Sequence, residues 1–182
     1  MERRAVIRNL LTITGGITLL PACLNSADKA SVELDNFEFS ADDEALLAEI
    51  AATIIPQTDT PGAKEVGSHL FVLKMVDDCY EKEDQEQFVE GFKKFQKSTR
   101  QRFNKSFAAC TNKQKKQMLQ AIEDKESFPP EVSAFYKIMK EKTIQGYMTS
   151  KYVVMDIMKY EMIPSVPYNG YHPVKNISTD GR

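Results

Sequence analysis

The sequence predicts an all-α protein, a compact bundle of about five to six helices with an irregular C-terminal tail. Its 182 residues, 42% of them apolar, suit one hydrophobic core. Tryptophan is absent and only eight residues are glycine, a composition that favours helices over a sandwich or a barrel. Apolar residues also recur at helical spacing along most of the chain. We therefore expect residues 31–182 to form a single helical domain, preceded by an export signal and tether over residues 1–30.

The first two helices are predicted on either side of a proline-rich loop. Ser40 is followed three residues later by Asp43, the spacing of a capping box, and apolar residues at helical spacing then mark a helix over about 41–55. Pro56 ends this helix because proline removes a backbone donor and fixes φ near −65°. A second helix is expected over about 63–79, after the loop "PQTDTPG".

Five phenylalanines predict a long third helix over about 83–109. At 100° per residue they fall within an arc of roughly 120°; they are Phe88, Phe92, Phe95, Phe103 and Phe107. Nine Lys or Arg and no acidic residue lie between Gly91 and Ile122. On the predicted helix most of these cations project away from the phenylalanines, as Lys93, Lys94, Lys97, Arg100 and Lys105 do, with Arg102 nearer the flank. We interpret them as a solvated face, the alternative being weak attraction to anionic lipid headgroups.

The remaining helices are shorter. Thr111 begins a second capping box, T-x-x-Q, which opens a fourth helix. Pro130 fits the first turn of a fifth helix, expected to end near residue 145 because Gly146 interrupts the apolar pattern. Ser150 is expected to cap a last short helix. The following segment, "EMIPSVPYNGYHPVKNISTDGR", is too rich in Pro, Asn and Gly for regular structure.

The N-terminus resembles a bacterial export signal. Arg3 and Arg4 precede an apolar run from 10 to 20, which is too short to cross a hydrocarbon layer of about 30 Å. An arginine pair before a mildly apolar run is typical of twin-arginine signals. The stretch "LLPAC" resembles a lipobox, which would make Cys23 a lipid anchor; ordinary cleavage a few residues later is the alternative. We expect a periplasmic or envelope location, with residues 24–39 as a polar tether.

The sequence contains no motif for catalysis or for a cofactor. His69 and His172 have no Cys or carboxylate at metal-ligand spacing, and we expect His69 to be packed or hydrogen-bonded. Nucleophile elbows, phosphate-binding glycine loops and a C-x-x-C-H motif for haem are absent from the sequence. The net charge of −2 excludes a globally basic nucleic-acid binder. Cys79 and Cys110 are expected to be free thiols, a bridge to another chain being the alternative.

Two segments have both a structural and a functional interpretation. In the loop after the first helix, Thr58, Asp59 and Thr60 can satisfy the exposed helix ends, and Gly62 permits a sharp turn. This loop is either an interhelical corner or a docking site. The aromatic tail with Tyr160, Tyr168 and Tyr171 either folds back over the helices or docks on a partner.

The stretch "LLAEIAATIIPQTDTPGAKEVGSHLFVLKMVDDCY" resembles the gluconate 2-dehydrogenase subunit 3 family. The shared features are a helix that ends in I-I-P, a T-D-T-P-G-A loop, and a second helix with His69 before two hydrophobic residues. "GYMTS" at 146–150 and "KYEMIPSVPYNGY" at 159–171 are similar to further segments of the family. The resemblance covers roughly residues 40–171.

The resemblance implies a helper without catalytic, cofactor-binding or metal-binding residues of its own. It implies a large subunit that holds FAD, a multihaem cytochrome c subunit, and a role of this chain in maturation or twin-arginine export. We expect the partner interface among the residues of the loop and the two later segments: Pro56, Thr58, Asp59, Thr60, Pro61, Gly62, Gly146, Tyr147, Tyr160, Pro164 and Tyr168. The alternative function is a stand-alone envelope lipoprotein that binds a ligand or partner.

Overall fold

The computed structural model describes residues 29–124 and 126–160 and confirms the all-α prediction. Five α-helices follow one another along this part of the chain: α1 Ala41–Ile54, α2 Ser68–Cys79, α3 Lys82–Phe103, α4 Asn112–Glu123 and α5 Pro130–Met148. A short π-helix, Tyr152–Ile157, comes after α5. Both predicted capping boxes are present, at the starts of α1 and α4.

Helix α5 lies at the centre of the bundle, where it packs most extensively on α3 and α2 and also touches α1 and α4. The rings of Phe88, Phe92 and Phe95 on α3 surround Phe135 of α5, with ring centroids 5.0 to 5.7 Å apart. Gly91 permits this close approach, since a Cβ there would collide with the carbonyl oxygen of Glu131. Three phenylalanines of the predicted arc are therefore core residues, whereas Phe103 is partly buried and packs against the core.

The long third helix is shorter than predicted. It ends at Phe103 rather than near 109, because Asn104 adopts the left-handed conformation (φ 53°) at its C-terminus. Phe107 is nevertheless buried, with its ring centroid 5.2 Å from that of Phe95. It reaches the core from the turn after α3, so its helical spacing in the sequence was a coincidence.

Two other predicted boundaries are wrong. Helix α2 begins at Ser68 rather than near 63, because Gly67 is left-handed (φ 74°) and the preceding residues form a turn. Helix α5 continues through Gly146 to Met148. Gly146 is required for packing rather than for a break: a Cβ there would lie 2.8 Å from the Phe71 ring.

Residues 29–40, expected to belong largely to a tether, form an ordered segment that we call the strap. Lys29 pairs with Ser40 in an antiparallel bridge, and Phe39 is buried against Phe92, with centroids 4.9 Å apart. The N–H groups of Asp35 and Asn36 donate to the buried Asp77 carboxylate, at 2.8 to 3.2 Å. The strap is therefore part of the domain.

Candidate partner-binding surface

The loop between α1 and α2 closes on itself. The Ala63 N–H donates to the Ile55 carbonyl (2.9 Å), which satisfies the end of α1, and the Thr58 N–H donates to the Thr60 carbonyl (3.0 Å). The two threonine hydroxyls lie 3.4 Å apart. The prediction that these threonines satisfy the helix ends is therefore wrong, because they bond to each other. Residues 56–60 are exposed.

Gly62 makes this closed loop sterically feasible. It is buried, and a Cβ there would lie 2.5 Å from the Gln57 nitrogen and 2.7 Å from the Ile55 carbonyl oxygen. Its N–H donates to the Glu65 carboxylate at 3.0 Å. The sharp turn expected at this position is present, and it demands glycine because backbone atoms occupy the space of a side chain.

The loop is also held by charge. The carboxylate of Glu49 on α1 accepts from Lys64, after the loop, and from Lys115 on α4, each at 2.6 Å. The hydrogen bonds from Lys115 and Lys64 lower the pKa of Glu49 despite its partial burial. Glu49 therefore stays ionised near neutral pH and ties the turn after the loop to two helices.

The end of α5 contacts the loop and α2 together. The Tyr147 hydroxyl donates to the Pro61 carbonyl at 3.1 Å, and Gly146 packs against Phe71 of α2. The structure thus brings Gly146 and Tyr147 next to the proline-rich loop, although Tyr147 lies 86 positions after Pro61 in the sequence. The two segments that sequence reasoning named separately form one corner of the bundle.

The large hydrophobic side chains that are exposed within the described residues all lie at this end of α5 or just after it in the sequence. They are 42 to 64% exposed and belong to the last turns of α5, the π-helix and the residues after it: Ile144, Met148, Met155, Ile157, Met158 and Tyr160. We call them the apolar patch. Concentrated exposed apolar side chains are typical of protein interaction sites. Methionine suits such a surface because its flexible, polarizable side chain adapts to a partner.

Sequence reasoning named only Tyr160 from this patch. The stretch "YMTSKYVVMDIMKY" carries apolar residues at more positions than one buried helical stripe can use. That excess was the signal of a second, exposed apolar surface.

His69 lies inside the domain rather than at this surface. It is 9% exposed, and its Nδ1 has no hydrogen-bond partner within the described structure. Burial lowers the pKa of His69, opposed by the nearby charge of Glu44, so the imidazole is neutral at pH 7. The expectation of a packed histidine is confirmed.

The described residues show no metal-binding or membrane-spanning feature. Across 29–124 and 126–160, no group of three His, Cys, Asp or Glu side chains is arranged to hold a metal ion. In the same ranges no helix has the length and hydrophobicity to cross a membrane. Cys79 is exposed and Cys110 is buried, both as free thiols. Seven residues singled out from the sequence lie outside the described ranges: Arg3, Arg4, Cys23, Pro164, Tyr168, Tyr171 and His172.

Fold and surface together define an all-α domain whose exposed large hydrophobic side chains, among the described residues, all lie between 144 and 160. The chain belongs to the gluconate 2-dehydrogenase subunit 3 family, whose model matches residues 41–165. This confirms the resemblance seen in the sequence, and it places the chain among subunits of a dehydrogenase complex. Comparisons with curated proteins and with solved structures gave no match.

Proposed function

We propose that this chain is the non-catalytic small subunit of a membrane-associated, flavin-dependent gluconate or sugar dehydrogenase complex. Membership of the subunit 3 family carries this proposal. The large subunit holds FAD and oxidises the substrate, and a multihaem cytochrome c subunit accepts the electrons. This chain assists the maturation and export of the large subunit.

The apolar patch is the docking site for the large subunit. It lies beside the corner where Tyr147 holds the proline-rich loop. Burying exposed Met and Ile side chains in an interface contributes about 25 cal/mol for each Å² of apolar area removed from water. Thr58, Asp59 and Thr60, which lie in the exposed loop after Pro56, then supply a polar rim, the usual surround of an apolar interface centre.

Export through a twin-arginine signal explains why this chain associates with the large subunit. A flavoprotein must fold around FAD before it crosses the membrane, and the twin-arginine route carries folded proteins. A large subunit without a signal of its own crosses as the cargo of this chain through Arg3 and Arg4. The complex then resides in the periplasm or envelope, where Cys23 supplies a lipid anchor.

Co-expression with the candidate flavoprotein of the same cell tests the proposal. The tagged chain should co-purify with yellow, FAD-loaded protein from the envelope fraction. An Arg3→Lys, Arg4→Lys variant should keep the association and lose the envelope location, because it leaves the helical domain unchanged. Absence of any flavoprotein from the purified chain would contradict the proposal and leave the stand-alone lipoprotein.

A further inference from the structure

A set of lysines and one arginine around the second half of α3 and the start of α4 has no role in holding the domain together. All are exposed, and none forms an ion pair with any acid in the described ranges. We call them the basic face: Lys93, Lys97, Arg100, Lys105, Lys113 and Lys116. Other cations of the same run are structural, since Lys94, Arg102 and Lys115 each pair with a glutamate at 2.6 to 2.8 Å.

The basic face is continuous across two helices. Two surface hollows adjoin, because Arg102 and Glu126 line both of them. Lys97 borders the first hollow, and Lys113 and Lys116 border the second. Glu126 is paired with Arg102 at 2.7 Å, so its charge is offset. Asp124 also lines the second hollow, but Lys113 and Lys116 outnumber it, and the local charge is positive.

The N-terminal segment enters the domain beside this face. Lys29, itself exposed, bridges to the cap residue of α1. In the first turn of α1, Asp43 accepts a hydrogen bond of 3.2 Å from Gln96 of α3, the neighbour of Lys97 in sequence. Lys93 lines a hollow together with Asn36 of the strap. The point where the chain leaves the domain towards its N-terminus is therefore close to the basic face.

We propose that the basic face lies against an anionic phospholipid surface and orients the domain on the membrane. The inference rests on the proposed envelope location. Five residues separate Cys23 from Lys29, so a lipid on Cys23 holds the strap within about 20 Å of the headgroups. At that distance unpaired cations are drawn onto an anionic surface, since each Lys or Arg near it adds attraction.

The chemistry of the face fits headgroups better than nucleic acid. Proteins that hold single strands combine cations with exposed aromatic rings for base stacking. Here Phe92 and Phe95 are core residues, at most 2% exposed. Phe103 and Phe128, the other rings near the basic face, are half-buried and packed against the core. What remains at the surface is charge spread over two helices, which matches a broad anionic plane.

Vesicle binding of the full chain tests this. A Cys23→Ser background prevents lipid attachment, and the probe is phosphatidylcholine vesicles with or without phosphatidylglycerol, separated by sedimentation. Lys93→Gln, Lys97→Gln and Arg100→Gln are combined in one variant. Lys137→Gln, Lys151→Gln and Lys159→Gln form the matched control, since these lysines are also exposed and remove the same charge.

Phosphatidylglycerol should strengthen binding of the control, and this gain should vanish at about 0.5 M salt, where the Debye length falls to a few Å. The basic-face variant should bind the anionic vesicles at least about tenfold more weakly than the control at low salt, because each cation contributes roughly fivefold. Equal binding by the two variants would overturn the proposal.

The outcome is independent of the proposed partnership with a flavoprotein. The basic-face variant should co-purify with the flavoprotein as the wild type does, because the apolar patch is untouched. Normal vesicle binding with no flavoprotein would contradict the partnership alone. Loss of the flavoprotein in the basic-face variant, with unchanged vesicle binding, would assign the basic face to the protein partner and overturn the membrane assignment.

Discussion

At the scale of single residues, the sequence predicted local structure where a side chain contacts residues close to it along the chain. Both capping boxes were predictable because a cap is a contact over three residues. The left-handed conformations of Asn104, which ends α3, and of Gly67, which precedes α2, were not predictable. A left-handed residue depends on what the following segment packs against, and local sequence does not state that.

Gly62→Ala should destabilise the domain by about 1–3 kcal/mol, because the added Cβ overlaps backbone atoms 2.5 to 2.8 Å away. Urea denaturation measures the loss. Asp59→Ala in the same loop is the control, since Asp59 is exposed and should change stability by no more than about 0.5 kcal/mol. Equal midpoints for the two variants would show that the loop is not closed as described.

His69 should make stability depend on pH in the weakly acidic range. Its pKa in the folded domain is lowered by burial, whereas the unfolded chain has the ordinary value near 6.5. As pH falls below about 6.5, His69 therefore takes up a proton in the unfolded chain but not in the folded domain. The free energy of unfolding declines until the pH reaches the pKa of His69 in the folded domain. Urea midpoints between pH 7.5 and about 5 should show this decline, and His69→Gln should flatten it. An unchanged slope in the variant would contradict the buried, neutral assignment.

At the scale of elements, the helices were predictable in number and type, while the strap was not. Helical periodicity reports burial of one face, so α1, α3, α4 and α5 left clear patterns in the sequence. The strap has no periodicity. Its order comes from distant partners, above all Asp77, which lies more than 40 residues further along the chain.

Asp77→Asn should release the strap and cost about 1.5–3 kcal/mol, the usual contribution of hydrogen bonds to a charged group. Burial alone would raise the pKa of Asp77, but donation by Asp35, Asn36 and Lys74 outweighs it and lowers that pKa. The stabilisation is therefore present above the ordinary pKa of about 4 and is lost as pH falls through the lowered value.

Amide exchange of residues 29–40, with urea midpoints from pH 7 to 2, measures this effect. Asp78→Asn is a matched control: the Asp78 carboxylate is half-exposed and, among the described residues, pairs with Lys74 alone, at 3.1 Å. Such a surface pair contributes about 0–1 kcal/mol. Strap amides that stay protected in the Asp77 variant would show that its carboxylate is not the anchor.

At the scale of the whole molecule, the all-α fold and the family were predictable from the sequence, but the members of the apolar patch were not. The family segments around Ile54, Gly62 and Gly146 have structural roles. The first two close the loop after α1, and Gly146 leaves room for the Phe71 ring. Motif residues therefore mark the corner that supports the surface. The excess of apolar residues after Gly146 indicates an exposed apolar surface, but its individual members could be assigned only once the core was known, because core and surface methionines look alike in a sequence.

The apolar patch is the surface that we propose to bind the flavoprotein large subunit. The most direct measurement is the affinity of that subunit for a Met148→Ser, Met155→Ser, Met158→Ser variant. A second variant, Gln87→Ser, Gln101→Ser, Gln117→Ser, alters three other exposed side chains and is the control. We predict at least about tenfold weaker binding for the methionine variant and wild-type binding for the control, with equal thermal stability of both. Wild-type affinity in the methionine variant would contradict the claim.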